Sequence, residues 1–302
     1  YKRIVELFLV VLFMGGMTAC NNDEDVFGPG ADTPSGPSNP SAPSTPVSYY
    51  RPKTSESKAT FDQVYQYMPA PGQFINELKT GGFDSTHTTQ EAANLYAKER
   101  LDKGIWVSLG GFGGYIVVGF DHSIDNTGGY DFAVIGNSFN NSSEPGIVWV
   151  MQDENGDGLP NDTWYELRGS ETGKETTIQN YAVTYYRPET VQSPVKWTDS
   201  EGKSGEIDYL KAYHNQDYYY PLWVESDTYT LVGTRLEPKN YDQSGKGSYW
   251  VLPTFDWGYV DNFSSIDRPT EKSVDNRFKI SDAMDSNGKA VLLDYIDFVK
   301  VQ

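Results

Sequence analysis

The chain has 302 residues, and its 42 acidic against 24 basic side chains give a formal net charge of −18. This balance argues against a nucleic-acid-binding surface, because phosphate contacts need clustered Lys and Arg. It also argues against docking on anionic lipid head groups, and it fits a soluble surface protein that attracts cations.

The first residues predict export. Lys2 and Arg3 precede the apolar run IVELFLVVLFMGGMTA, which is too short for a membrane span and has the order of a secretory signal at residues 1–19. Cys20 follows, and as the only cysteine it cannot form an internal disulfide. Its Thr-Ala flank resembles a bacterial lipobox, so we expect Cys20 to carry a lipid; the alternative is an unmodified apolar residue of the signal.

Residues 20–48 predict a tether. The acidic NNDED resembles the surface-export signal of lipoproteins in Gram-negative gut anaerobes, and a simple solvated charge run is the alternative. The Pro/Ser/Gly-rich remainder has too little apolar surface to fold. We therefore expect an outer-membrane protein that faces the exterior and touches the membrane only through its lipid anchor.

Two helices are expected before the strands begin. The segment THTTQEAANLYAKERLDKG offers Thr88 as N-cap with Glu91 three residues later, and Gly104 ends it. Its apolar face is expected to hold Ala92, Leu95 and Tyr96. The second, weaker helix is ATFDQVYQYM at residues 59–68, which is stopped by prolines.

From residue 105 onward the pattern is that of short strands rich in Val, Ile, Tyr, Trp and Phe. The predicted strands are IWVSL, YIVVGF, YDFAVIG, GIVWVMQ, TWYEL, YAVTYYR, PVKWT, EIDYL, YTLVGTRL, SYWVLP, NRFKI and VLLDYIDFVKV. The last is out of phase near its end, so we expect it to carry a β-bulge or to be covered on both faces. The segment GGFGGY lies between two predicted strands and is interpreted as a hairpin turn.

These elements predict one mostly β domain at residues 49–302. We expect a jelly-roll-like two-sheet sandwich with one or two short N-terminal helices.

An acidic loop, DENGDGLPND, follows the strand GIVWVMQ. Its D-x-N-x-D-G spacing is that of a calcium loop, in which alternate side chains and one main-chain carbonyl supply oxygens. The predicted ligands are Asp153, Asn155, Asp157, Leu159, Asn161 and Asp162. Because Trp164 stands where an EF-hand has its closing Glu, the loop departs from that motif. A polar turn is the alternative, and calcium, if bound, is expected to stabilise the fold.

A second acidic segment, FDHSIDNTGGYD, contains Asp121, Asp125, Asn126 and Asp131. Such segments hold ions at the ends of some sandwiches, but the residues suit a turn equally well, and the turn is favoured.

Two aromatic segments are candidates for ligand binding. They contribute Tyr213, His214, Tyr218, Tyr219, Tyr220 and Trp223 from AYHNQDYYYPLW, and Trp250, Trp257 and Tyr259 from SYWVLPTFDWGYVDNF. Neighbouring strand residues face opposite ways, so three consecutive Tyr are not expected to share one core. Exposed rings form platforms for sugars or flat cofactors, and packing under long loops is the alternative.

The segments LGGFGGYIVVGFDHSIDNTGGYDFAVIGNSF, EPGIVWVMQDENGDGLPNDTWYELRGSE, YMPAPGQFINEL and IDFVKVQ together resemble a family of secreted "cell surface protein" lipoproteins of Gram-negative gut anaerobes. The likeness extends over most of residues 60–302. It implies a context of TonB-dependent nutrient uptake, including corrinoid (cobalamin) uptake, with an outer-membrane receptor as a possible partner.

An enzyme is not expected. The chain has three His without zinc spacing and has no G-x-S-x-G elbow or phosphate loop. The leading hypothesis is a ligand-binding sandwich for nutrient capture, with a corrinoid first and a glycan second. An adhesin or a structural partner of a receptor is the alternative, and a glycoside-cleaving enzyme with paired carboxylates is the third.

Overall fold

A computed structural model describes Val10–Leu12 and residues 48–302 other than 82 and 85. The predicted lipid site, Cys20, and most of the predicted signal and tether lie outside these residues. No helix within the described part of the chain is long and apolar enough to cross a membrane.

The helices are few and the strands are short. The α-helices are α1 (Leu78–Gly81) and α2 (Gln90–Asp102), and a 3-10 helix spans Ile280–Asp282. The strands are β1 (Val10–Leu12), β2 (Gln63–Met68), β3 (Tyr115–Asp125), β4 (Phe132–Ile135), β5 (Val148–Met151), β6 (Tyr165–Leu167), β7 (Ile178–Tyr186), β8 (Val195–Asp199), β9 (Ser204–Ile207), β10 (Thr228–Arg235), β11 (Tyr241–Asp242), β12 (Trp250–Val251), β13 (Asp275–Phe278), β14 (Ala283–Met284) and β15 (Tyr295–Val301).

The strands form antiparallel sheets. The largest has the order β14-β6-β5-β15-β3-β2, a second has β10-β7-β8-β9, and smaller sheets are β1-β4-β13 and β11-β12. Buried side chains of the six-stranded sheet and of β4 and β13 share one apolar cluster, so these sheets enclose a common core. The mostly β prediction is confirmed and is consistent with a sandwich, whereas the jelly-roll connectivity stays a prediction.

The predicted helix at residues 59–68 is wrong, because this segment forms edge strand β2. The Asn94 side chain of α2 accepts a hydrogen bond from Tyr67 N (2.8 Å) and donates one to Tyr65 O (2.8 Å). Gln90 donates to Tyr67 O (2.9 Å). Helix α2 thus covers the free edge of β2. Its side chains satisfy the main-chain groups of β2 that would have been paired within the segment if residues 59–68 were helical.

The prediction of α2 is confirmed, but its register is off by one residue. The N-cap is Thr89, whose hydroxyl accepts from Ala92 N, rather than Thr88. The buried face holds Ala93, Ala97 and Leu101, with Tyr96 partly buried against the core as expected, whereas Leu95 is exposed. Small side chains are buried here because the helix lies close against β2. The predicted end at Gly104, which has φ of +68°, is confirmed.

The last strand has the expected irregularity, and its side chains are buried on both faces. The pairing of β15 with β3 shifts between Ile296 and Phe298, where Asp297 alone lies opposite residues 120–123, so the extra residues are in β3. Asp297 is fully buried, and its carboxylate accepts hydrogen bonds from Arg51 Nη2 (3.0 Å), Ser123 Oγ (2.6 Å) and Asp153 N (2.8 Å). This one carboxylate therefore ties the start of the domain and the acidic loop to the sheet.

Candidate functional site

Most of the first aromatic segment belongs to the core. Tyr219 and Tyr220 are both completely buried, and Trp223 is 6% exposed. Tyr219 Oη donates to His214 O (2.8 Å), and Tyr220 Oη donates to Ser226 O (2.7 Å). The prediction that these three rings form a ligand platform is wrong. The segment is a loop, so its consecutive side chains need not point to opposite faces as they would in a strand.

The other residues of this segment are more accessible. His214 Nδ1 lies 2.8 Å from Glu77 Oε1, and its ring packs edge-on against Phe74. The Asn76 amide donates to the carbonyls of Tyr218 and Tyr220, which fastens the loop to residues 72–77. Tyr213 is 55% exposed.

The second aromatic segment is divided among three environments. Tyr259 is buried, and its hydroxyl accepts from Glu171 N (3.0 Å), so its predicted ligand role is wrong. Trp250 lies in β12 with its Nε1 buried. Trp257 is half-buried and lines a cavity.

The predicted calcium ligands come together in the loop between β5 and β6. Asp153 accepts from Gly156 N (2.7 Å) and Gly158 N (3.0 Å), which closes the loop around its carboxylate. Two amides bond within the loop: Asn155 Nδ2 donates to Asn161 Oδ1 (3.1 Å), and Asn161 Nδ2 donates to Asp157 Oδ2 (2.7 Å). Two main-chain groups also donate: Leu159 N to Asp157 Oδ1 (2.8 Å), and Glu154 N to Asp162 Oδ2 (3.0 Å). Within the described ranges, no group of three His, Cys, Asp or Glu side chains could hold a metal. The loop is thus closed by its own hydrogen bonds.

The second acidic segment has the hydrogen bonds of a turn. Asn126 Oδ1 accepts from Gly128 N (3.1 Å), and Asp131 accepts from Thr127 N (2.9 Å) and Ile280 N (2.8 Å). Asp121 lies beside His122 Nδ1 (2.7 Å). These carboxylates are engaged with neighbouring groups, as the turn interpretation predicts.

The glycine segment forms a close-packed loop, and the preceding IWVSL is not a strand. Ala70 N donates to Leu109 O (2.9 Å), so this part of the chain pairs with a loop. A Cβ at Gly110 would lie 1.9 Å from Ala70 O, and one at Gly114 would lie 1.8 Å from Leu109 O. Only glycine fits such distances. The resulting loop presents Phe112, whose ring meets Tyr181 edge-on with centroids 5.0 Å apart.

Two cavities adjoin at this loop. One of about 400 Å³ extends along Ser143–Ile147, Thr234–Asn240 and Phe255, and the other, of about 300 Å³, extends over the face of β7 and β8. Both are lined by Gly111, Phe112 and Arg235. We name the two together the glycine-loop groove.

The groove combines flat apolar faces with polar groups. Its rings are those of Phe112, Tyr181, Tyr185, Trp197 and Phe255, and its charged side chains are Glu144, Asp199, Lys203, Arg235, Glu237 and Lys239. Rings that contact C–H faces, next to groups that exchange hydrogen bonds, suit a polar ring compound such as a sugar.

Three contacts inside the groove fix its geometry. Arg235 lies over the Tyr181 ring (5.0 Å), and Lys239 Nζ lies 3.9 Å from the Phe255 centroid. Burial and a hydrogen bond to Asp199 raise the pKa of Tyr181 to about 12. Its hydroxyl therefore stays protonated at neutral pH and donates to the Asp199 carboxylate, which holds both side chains in place.

Sequence reasoning missed Phe112 because one aromatic residue among glycines was interpreted as part of a turn. The available signal was the resemblance itself, since its motifs GGFGG and EPG both line the groove. No protein-family model and no curated protein matches this chain.

Proposed function

We propose that this chain is a surface lipoprotein that captures a glycan in the glycine-loop groove for nutrient uptake. The observation that carries the proposal is the pair of partly exposed rings, Phe112 and Trp197, beside charged groups in two adjoining cavities, with the buried Tyr181 in contact with Phe112. Two adjoining cavities with partly exposed rings suit the linked rings of an oligosaccharide.

The size of the groove favours a glycan over a corrinoid. Cavities of about 400 and 300 Å³ match one or two sugar rings each, at the small end of ligand sites. A corrinoid is several times larger than a monosaccharide and would leave most of its ring system in solvent. We therefore rank the glycan first and the corrinoid second.

The cellular setting of the proposal comes from the N-terminal segments. A lipid on Cys20 and a tether up to residue 48 would hold the domain at the outer face of the outer membrane. There a TonB-dependent receptor would take over the captured ligand.

Calcium is proposed as a structural ion of the acidic loop. The oxygen-rich spacing of the loop supports this role, because the oxygens of Asp153 and Asp157 that accept loop N–H groups keep further lone pairs for a cation. Bound calcium would stabilise the folded state by mass action. A melting temperature that rises with calcium and falls with chelator in the wild type, but not in Asp157→Asn, is the expected result; identical curves for both proteins would contradict it.

Affinity electrophoresis tests the glycan proposal. The purified chain is run in native gels that contain neutral plant or host polysaccharides, and retardation in at least one gel is expected. Phe112→Ala and Trp197→Ala should abolish that retardation, because each removes a stacking face. Tyr213→Ala is the matched control, since it removes an exposed ring outside the groove.

The outcomes separate the alternatives. If the wild type is not retarded in any gel but turns pink after cobalamin is added and the protein is desalted, the corrinoid replaces the glycan. If Tyr213→Ala weakens retardation as much as Phe112→Ala does, the groove is not the binding site. Circular dichroism melts of each variant verify that folding is intact.

A further inference from the structure

A separate cavity lies at edge strand β13 and carries an unusual concentration of positive charge for so acidic a chain. Its volume is about 320 Å³, and its lining includes the rings of Tyr130 and Trp257. Three cationic side chains, Arg168, Arg277 and Lys279, line the same space. We name it the β13 cavity.

Arg277 and Lys279 converge on one ring. They are two residues apart along an extended segment, so they project from the same side of it. Arg277 Cζ lies 4.3 Å and Lys279 Nζ lies 5.1 Å from the Tyr130 centroid. Two like charges over one ring repel each other, and an anion placed between them would relieve that repulsion.

These cations are only partly compensated. Arg277 Nε donates to Asp267 O (3.2 Å), but no described residue accepts from its terminal nitrogens. Lys279 forms no ion pair within the part of the chain that the structure describes. Arg168 Nη2 lies 3.6 Å from Asp282 Oδ1, while Arg168 Nε is buried without an acceptor among the described residues.

The two carboxylates of the cavity do not cancel this charge. Asp267 is 2% exposed, and its oxygens accept from Gly258 N (2.7 Å) and Asn276 Nδ2 (2.9 Å). Its carboxylate is engaged in holding the loop, and together with Asp282 it offsets two of the three cations, which leaves one positive charge in excess at the cavity. Guanidinium groups with free N–H donors are suited to carboxylate and sulfate oxygens.

The loop that presents Trp257 is rigid. Asn262 and Asn276 are completely buried and bonded to each other, with Asn276 Nδ2 donating to Asn262 O (2.8 Å). Gly258 has φ of +89°, and a Cβ there would lie 2.4 Å from Gly169 Cα. A ring held in place in this way needs little ordering when a ligand binds.

From this arrangement we infer that the β13 cavity binds an acidic sugar residue. The sugar ring lies against Trp257 or Tyr130, and its carboxylate or sulfate lies between Arg277 and Lys279. The site is distinct from the glycine-loop groove, and the inference stands whether or not that groove binds a neutral glycan.

Calorimetric titration of the full chain tests this inference. The probes are a galacturonate trisaccharide for a carboxylate, a heparin disaccharide for a sulfate, maltotriose as the neutral sugar, and inorganic sulfate as the free anion. At about 0.15 M salt, screening reduces the long-range repulsion from the acidic chain. We expect at least one acidic sugar to bind measurably, and to bind more tightly than maltotriose or inorganic sulfate.

Variants then locate the site. Arg277→Gln with Lys279→Gln should weaken acidic-sugar binding by about tenfold or more, because charge-assisted hydrogen bonds are lost. Lys211→Gln with Lys246→Gln removes the same charge at exposed positions elsewhere and should leave the affinity unchanged. Asp282→Asn should strengthen binding, because it removes the carboxylate nearest Arg168.

Three results would overturn the inference. The first is that neither acidic sugar binds the wild type, and the second is that inorganic sulfate binds as tightly as the acidic sugars do. The third is an equal loss in the Lys211/Lys246 control, which would show a general charge effect. Phe112→Ala should not change acidic-sugar binding, so failure here is distinguishable from failure of the proposed glycan groove.

Discussion

Replacement of the buried carboxylate of β15, Asp297→Asn, should destabilise the fold severely. Asp297 accepts three hydrogen bonds, from Arg51, Ser123 and the main-chain N–H of Asp153, and is completely buried. Asparagine has nearly the same shape but only one accepting oxygen. The NH2 group of the asparagine would therefore face one of the three groups that now donate to the carboxylate, and the buried site would lose its negative charge.

The magnitude follows from the partners. Losing a charge-assisted bond and leaving a buried donor unpaired cost about 1.5–3 and 1–3 kcal/mol respectively. The Arg51 side chain is 39% exposed, so its ion pair is screened and adds less. We expect a loss of about 3–5 kcal/mol, which corresponds to a fall in Tm of roughly 10 °C for a domain of this size.

Equilibrium unfolding in guanidinium, followed by circular dichroism, measures this loss. Asp294→Asn is the control, because it removes an exposed carboxylate three residues away in the chain and should change stability by less than about 0.5 kcal/mol. Hydrogen exchange at Asp153 N–H should also accelerate in Asp297→Asn. A loss below about 1 kcal/mol would refute the assignment of Asp297 as the anchor of the acidic loop.

Three further predictions concern stability. Burial raises the pKa of Asp261 to about 7, so the folded state holds this proton more tightly than the unfolded chain, and stability should fall as pH rises from about 4 to 7. Asp261→Asn should flatten that part of the pH profile and gain up to about 4 kcal/mol at pH 8, as measured by unfolding at each pH; an unchanged slope would refute it. Gly110→Ala should prevent stable folding, because the added Cβ would collide with Ala70 O. Gly128 also has a positive φ but lies in open space, so Gly128→Ala should cost only about 1 kcal/mol in the same assay. Similar losses in the two variants would contradict the packing argument. Trp223→Ala should lower stability by about 3–5 kcal/mol because it empties a core site, and unchanged stability would show that the ring is not a core residue.

Sequence patterns predicted the regular elements well. Helix α2 and the strands β3, β5 and β15 were predicted because apolar periodicity and punctuation by glycine report burial directly. An irregularity in the last strand was predicted because its apolar pattern changes phase, but the pattern did not show that the extra residues lie in β3. The same logic failed for residues 59–68, since a six-residue apolar pattern fits a strand or a helix and the neighbouring Asn94 decided between them.

The candidate sites were harder to predict, for a physical reason. Tyr219 and Tyr220 share a core because an irregular loop can direct neighbouring side chains to the same side. The groove and the β13 cavity join residues that are far apart in the chain, such as Tyr130 with Arg277. Their meeting depends on sheet order, which no local pattern in a single sequence contains.

The most direct test of the central claim is a calorimetric titration with the neutral oligosaccharide that retards the chain in gels. Wild-type protein should bind it, and Trp197→Ala should weaken binding by about tenfold or more, because one stacked ring contributes about 1–2 kcal/mol. Tyr213→Ala should bind as the wild type does. Unchanged affinity in both Trp197→Ala and Phe112→Ala, with folding intact, would contradict the glycine-loop groove as the binding site.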